Sequence, residues 1–383
     1  MDVFRNGYDY IAKYIAREWN YYRVRPTNAL VYLTYRCTSH CKSCSMWKRK
    51  VQENEMSLDE WKRFVDMITP LGIRNMEMFG GDALLRKDVL FPLTEYAKKK
   101  GIPEIDLVTN CLLMDEETAN RIIETGISVL YISVDGTGEL HDNVRGTPGA
   151  FEKVAKSIAS VAKKRRRLNS RTPRIVINCT VSALNYHAID KILDFANESG
   201  ADKFAFEYVG QFPKKCLKNS AINGIEPQPY YLDEENSIRL STEQALLLKR
   251  KLYTIKANSR NLNVYFNSLN IDVLSVENMV SGVLPNKRCY ISRYLIIADP
   301  YGNIIPCPFH NNYVIGNVRQ QPFRNIWNNK QHQVFMEYVD KGKCEMCRYC
   351  ILGVERNPTP LQALRKQFSE ITKRGVDERR YVQ

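Results

Sequence analysis

Two hydrophobic periods take turns along this chain. Residues 29–33, 75–79, 105–108, 129–134, 175–181 and 204–208 are short apolar or alternating runs that read as strands. Between them, apolar residues recur at helical spacing over 58–68, 89–99, 116–125, 151–168 and 189–199. Ser57 and Asp115 stand where N-caps belong, just ahead of two of these helices. Strands this apolar, each followed by a helix, predict a parallel sheet covered by helices. With right-handed crossovers the repeat number predicts an α/β fold, a partial (β/α)6 TIM-like barrel with its site at the C-terminal ends of the strands. An amphipathic helix is expected over 8–22, with Ile11, Tyr14, Ile15 and Trp19 on one side. Regularity stops near Phe206. A long loop rich in Gly, Pro, Asn and Lys is expected over 209–237, then a helix over 241–257 and a short strand over 263–266. Asp299-Pro300-Tyr301-Gly302 reads as the turn of a β-hairpin. The organisation expected is an N-terminal helix over 1–28, the barrel over 29–210, connecting loop and helices over 211–288, a cysteine-rich unit over 289–355 and a helical tail over 356–383.

Composition narrows the chemistry. The chain has 383 residues, which suggests two domains and a core large enough to fold without staples. It lacks both a run of ~18 apolar residues and a signal-peptide core, so a cytoplasmic protein is expected. In that compartment eleven cysteines point to metal binding, redox chemistry or buried thiols, not disulfides. The formal net charge of +14 favours an acidic partner or substrate. Lys214, Lys215 and Lys218, in the long loop, are candidates to meet an anion, whereas the run 163–167 reads as a solvated helix end.

Cys37, Cys41 and Cys44 follow the first strand on one short loop. Three thiolates there suit an iron–sulfur cluster with one open iron better than zinc, which usually takes four protein ligands in a structural site. A zinc loop or plain buried thiols remain the alternatives at this level. Five more cysteines lie late in the chain: Cys289, Cys307, Cys344, Cys347 and Cys350. Cys179, inside a strand, reads as a small core hydrophobe. His310, near Cys307, is placed equally well at a site or on the surface.

The spacing Cys37-x3-Cys41-x2-Cys44 after the first strand resembles the signature of the radical S-adenosylmethionine (SAM) superfamily. Gly80-Gly81-Asp82 after the second strand is similar to that family's GGE-type motif, with the shorter acid Asp82. Asn110 ends the third strand, Ser133 the fourth, and Arg145 lies in a His-Asp-Asn-Val-Arg-Gly stretch similar to one found in relatives. Ser43 stands where relatives often carry an aromatic residue, and Trp47 is the nearby aromatic. Cys289-x12-Gly302-x4-Cys307, then Cys344-x2-Cys347-x2-Cys350, resembles the SPASM/twitch extension. The resemblance implies a [4Fe-4S] cluster on Cys37, Cys41 and Cys44, and SAM contacts from Gly80, Gly81, Asp82, Asn110, Ser133 and Arg145. It also implies one auxiliary [4Fe-4S] cluster on Cys289, Cys307 and two of Cys344, Cys347 and Cys350.

By resemblance the reaction is reductive cleavage of SAM to a 5′-deoxyadenosyl radical that abstracts hydrogen from a substrate. A flavodoxin or ferredoxin-type donor would supply the electron. Relatives that act on peptides often carry a recognition domain before the barrel, and only 36 residues precede Cys37. The expected substrate is therefore a small polar or anionic intermediate of sugar, aminocyclitol or nucleoside type. Modification of a ribosomally made peptide is the alternative, and a basic nucleic-acid-binding protein with structural zinc is the alternative from another class.

Overall fold

All six expected strands form and lie side by side in chain order. They are β1 (Asn28–Tyr32), β2 (Asn75–Phe79), β3 (Glu104–Thr109), β4 (Val129–Ser133), β5 (Arg174–Val181) and β6 (Lys203–Tyr208), each parallel to the next. The computed structural model describes residues 24–233, 237–259, 262–268, 271–285 and 289–353, together with Ile15. The helix expected over 8–22 (Ile15 apart) and the tail expected over 356–383 lie outside the described residues.

Five helices cover one face of the sheet as expected: α1 (Leu58–Ile68), α2 (Lys87–Lys99), α3 (Glu116–Glu124), α5 (Ala150–Arg167) and α6 (Ile189–Glu198). A short α4 (Glu139–Arg145), not foreseen from periodicity, precedes α5. α1 shows why these segments are helical. Ser57 and Glu60 form a reciprocal capping box, a cap worth about 1 kcal/mol. Trp61, Phe64, Val65 and Ile68 then recur on one face and are fully buried. Beneath the helices, Met76, Met78, Leu107, Ile132, Ile177, Phe204 and Phe206 form the core.

The long connection after β6 is mostly irregular, with a two-strand pair, β7 (Phe212–Pro213) and β8 (Leu232–Asp233), and a short α7 (Lys215–Lys218). Beyond α8 (Thr242–Asn258), β9 (Tyr265–Asn267) pairs with β6 at one edge of the sheet, and α9 (Val276–Ser281) follows. The expected hairpin is β10 (Leu295–Ala298) and β11 (Asn303–Ile305), preceded by α10 (Ile291–Tyr294) and followed by β12 (Gly316–Asn317) and α11 (Lys330–Asp340). Its turn is held by Asp299 Oδ1, which accepts from Tyr301 N (2.8 Å) and Asn303 N (2.9 Å). Pattern alone did not place this hairpin: β10 pairs in parallel with β1. The cysteine-rich unit thus continues the sheet, giving, among the described residues, ten strands in the order β12-β11-β10-β1-β2-β3-β4-β5-β6-β9, open at both ends. Among the described residues no helix is long and apolar enough to cross a membrane.

The hairpin turn is clasped to the segment before α1. Met56 N donates to Pro300 O (2.7 Å), and Arg319 pairs with Glu60 through Nε–Oε1 (2.7 Å) and Nη2–Oε2 (3.0 Å). The Arg319 hydrogen bonds hold the Glu60 carboxyl down at about 2, from an ordinary 4.5. Because the folded value is depressed, this contribution to stability is complete above about 4.5 and fades as pH falls through about 2. Arg319→Met should therefore unfold at lower urea than the wild type at pH 7, and the gap should shrink steadily in titrations taken from pH 5 downward. A gap independent of pH would show that the clasp acts through packing alone.

Candidate active site

The first cysteine loop is tied down on two sides before any thiol comes into play. On one side, Leu33 N donates to Phe79 O (3.0 Å), Gly81 N to Thr34 O (2.9 Å) and Asp82 N to Arg36 O (2.9 Å). On the other, His40 N and Lys42 N donate to the Arg145 and Val144 carbonyls, both at 3.0 Å. The loop runs so close to the Gly80-Gly81 turn that a Cβ on Gly81 would sit 2.1 Å from Arg36 O, and one on Gly80 2.3 Å from Thr34 O. Gly80 also has φ +146, a conformation glycine adopts readily. These glycines are thus required by the passing backbone itself.

Asp82 is buried and does not line the chamber described below, unlike the other residues expected at SAM. Its oxygens accept from Thr38 Oγ1 (2.8 Å), Thr109 Oγ1 (3.2 Å) and Leu84 N (3.2 Å), so it braces the cysteine loop against β3. Asn110 continues this network. Its amide donates to Thr38 Oγ1 (2.9 Å) and Ser39 Oγ (2.8 Å) and lies 3.9 Å from Cys37 Sγ. Arg145 lies beside the loop, with Nη1 3.7 Å from Cys41 Sγ and Nη2 2.8 Å from Asp135 Oδ2. Its Nε is buried without a hydrogen-bond partner. Burial pushes Cys37 up to about 11 and Cys44 up to about 12, so both are thiols until a metal displaces their protons. Trp47 packs edge-on to His40 at 4.8 Å and donates from Nε1 to Cys41 O (3.4 Å).

A single chamber of about 570 Å³ opens beside this loop. Its rim carries Cys37, Cys41, Cys44, Gly80, Gly81, Asn110, Ser133, Arg145 and Trp47. The inner face of the sheet supplies Asn75, Glu77, Tyr131, Asn178, Thr180 and Glu207. The later part of the chain closes the opposite side with Tyr230, Tyr231, Tyr294, Phe309 and Leu352. Lys214, Lys215 and Lys218, expected to meet an anion, do not line it; they are exposed around α7. The polar inner face was legible in part. Asn75-x-Glu77, Asn178-x-Thr180 and Glu207 break strands that a parallel sheet covered on both faces would keep apolar.

The five late cysteines gather in a second cluster that also contains Tyr32, Tyr230 and Phe309. Electrostatic coupling links Cys307 to Cys289 and Cys344, and Cys347 to Cys344, Cys350 and Cys289. Two further residues there were not foreseen. Cys216, on α7, is buried in the same cluster, and Arg293 forms a buried ion pair with Asp340 while donating toward Cys289 O (3.5 Å). His310 is buried, not at the surface, with Nε2 3.0 Å from Ser220 O. Cys179 is a core residue, as expected. Among the described residues, no three His, Cys, Asp or Glu side chains stand close enough to share a single metal ion. In a cluster, by contrast, each thiolate takes an iron of its own, and the soft thiol set with Arg145 alongside fits such a group.

Residues 31–196 match the radical SAM superfamily, and residues 289–351 match SPASM, an iron–sulfur cluster-binding domain. The chain is 28% identical over 332 residues to the AdoMet-dependent heme synthase of Methanosarcina barkeri, covering 83% of this chain and 87% of that protein. It is 28% identical over 382 residues to the PqqA peptide cyclase of Bradyrhizobium diazoefficiens, covering 92% and 90%. In fold it resembles Streptococcus suis SuiB bound to its precursor peptide SuiA, with TM-score 0.61, 15% identity, and 91% and 75% of the two chains covered. These matches set aside a zinc-bearing nucleic-acid-binding protein.

Proposed function

Because the chain belongs to the radical SAM superfamily and carries a SPASM iron–sulfur cluster-binding domain, we propose that it modifies a peptide by abstracting hydrogen from a side chain held in the chamber. The observation that carries this reading is the cavity of about 570 Å³ that joins the thiol rim to a hydrogen-bonding inner wall. SAM and a [4Fe-4S] cluster, when bound, supply a 5′-deoxyadenosyl radical that takes hydrogen from carbon. Every other task falls to the chain. Cys37, Cys41 and Cys44 hold the cluster. Arg145, cationic and beside Cys41, would receive the SAM carboxylate, and Gly80, Gly81, Asn110 and Ser133 frame the rim. Tyr230, Tyr231 and Phe309 shield the reacting carbon from water.

A small anionic substrate, the expectation from charge, fits this wall poorly. Of its charged lining residues among those described, Glu77, Glu207 and Asp135 are acidic, and the one cation, Arg145, is already paired to Asp135. The same wall disfavours a carboxylate-rich tetrapyrrole, although a heme synthase is among the relatives. A peptide cyclase and a mycofactocin maturase among the relatives support the peptide reading.

Cys289, Cys307 and two of Cys344, Cys347 and Cys350 would hold the auxiliary [4Fe-4S] cluster, which when bound would supply an electron acceptor for an oxidative net reaction. A flavodoxin or ferredoxin-type donor would reduce the first cluster. The test is anaerobic reconstitution, reduction with dithionite and incubation with SAM and peptides encoded beside the gene. Formation of 5′-deoxyadenosine with a SAM-dependent change in peptide mass is expected; turnover of a tetrapyrrole or sugar with every peptide unchanged would overturn the reading. Cys289→Ser/Cys307→Ser should still cleave SAM but yield less than a tenth of the modified peptide, and undiminished product would remove the electron-transfer role.

A further inference from the structure

Among the carboxylates on the inner face of the sheet that the chemistry above does not use, two stand side by side. Glu77 on β2 and Asp106 on β3 are paired neighbours in the strand register. On both strands the alternate residues Met76, Met78, Ile105 and Leu107 pack into the helix-covered core, which turns Glu77 and Asp106 to the chamber side. Glu77 lines the chamber, its carboxylate makes no hydrogen bond among the described residues, and no cation is among the groups that act on it. Asp106 is only 5% exposed. Its Oδ2 accepts from Asn75 Nδ2 (2.7 Å), but its Oδ1 is buried without a partner. Tyr131, near enough to feel the charge of both carboxylates, lines the chamber with Glu77. Asp106 itself does not line the chamber, and a carboxyl at the wall with a second, buried one beside it is costly unless something donates to it.

We propose that Glu77, backed by its buried neighbour Asp106, forms the anchoring floor of the substrate chamber and receives a cationic group of the substrate, the ammonium of a lysine-type or the guanidinium of an arginine-type side chain. The proposal rests on the peptide reading for its substrate class. A cation placed there donates a charge-assisted bond to Glu77, lies against the Tyr131 ring and is drawn further by the Asp106 charge beside Glu77. Glu77 is three residues before Gly80, about 10 Å down the strand from the SAM rim. A side chain anchored by its charged end therefore presents its own methylenes or a neighbouring residue toward the rim. The acids also titrate as such a site would. Glu77 is pushed up to about 7, first by burial and then by the charges of Asp106 and Glu207. Asp106 is pushed up to about 6 by burial, despite the Asn75 hydrogen bond and the nearby Arg174 and Lys98.

The test is calorimetric titration of the anaerobically reconstituted, SAM-loaded protein with matched probes. N-acetyl-lysine amide is set against N-acetyl-norleucine amide, and N-acetyl-arginine amide against N-acetyl-citrulline amide. At least one cationic probe should bind tenfold or more tightly than its neutral partner. Glu77→Gln should remove that preference and Asp106→Asn reduce it at least threefold, with the neutral probes moving less than twofold. Equal binding of charged and neutral probes to the wild type would overturn the proposal, as would an intact preference in Glu77→Gln. The wild-type comparison decides the matter even where a variant does not fold. The titration needs no turnover, so a cation preference in a protein that modifies no peptide would discard the peptide reading and keep the carboxylate floor.

Discussion

Gly81→Ala is expected to strip the first cysteine loop of its iron and to lower 5′-deoxyadenosine formation at least a hundredfold. A methyl group at this position would lie 2.1 Å from Arg36 O, 2.5 Å from Arg36 C and 2.7 Å from Tyr35 O. All three are backbone atoms, so no rotamer change relieves the overlap. The chain must separate there, breaking the Gly81 N–Thr34 O and Asp82 N–Arg36 O bonds. Arg36 directly precedes Cys37, so the first ligand moves with the separation. Gly101→Ala is the control: its φ of +93 makes it a strained substitution, but no atom lies within 4 Å of its Cβ. It should cost about 1 kcal/mol of stability and leave iron content unchanged. Iron and sulfide quantification after reconstitution, with product assays, separates the two variants. Normal iron in the Gly81→Ala protein would show that the loop does not depend on this contact.

Arg145→Met should destabilise the fold by about 3–5 kcal/mol and weaken SAM binding more than tenfold. The Asp135 side chain is 2% exposed and that of Arg145 13%, so removing the cation leaves a buried carboxylate without its ion pair. Thr180 N, donating to Asp135 Oδ1 at 2.8 Å, cannot replace a charge. Burial already pushes the Asp135 carboxyl up, and the Arg145 charge opposes that shift. Adding Asp135→Asn to Arg145→Met should restore much of the stability, because the stranded charge is gone. It should not restore SAM affinity, because the guanidinium beside Cys41 is still missing. Urea unfolding and calorimetry read the two effects separately. A double variant that recovers both would reduce Arg145 to a partner of Asp135.

How much of this was legible beforehand depends on the range over which each signal acts. Ser57 with Trp61, Phe64, Val65 and Ile68 spells out α1, because cap and stripe are local. The Asp299–Gly302 turn was equally plain. The partnership of β10 with β1 was not, because nothing in either strand encodes a neighbour more than 250 residues away in the chain. α4 was hidden because its seven residues bury only His141 and Val144, too few for a period. Asp82 illustrates the same limit at the site. Its place in a Gly-Gly-Asp run suggested a ligand contact, whereas Thr38 and Thr109, from two other segments, turn it into a brace.

By itself, the order of residues determined the βα repeat, the hairpin turn and two groups of cysteines too regularly spaced for chance. Those features depend on periodicity, capping and spacing, all of which lie within a few residues of one another. Tertiary structure decided the rest: that the hairpin extends the sheet, that five late cysteines converge beside Cys216, and that the lysines of the long connection stay outside the chamber. It also placed Glu77 beside Asp106. Strand register sets which side chains face one another, and register is settled by packing across the whole sheet. The surplus of positive charge therefore said little about the site, because net charge sums the surface while a chamber is defined by the few groups that line it.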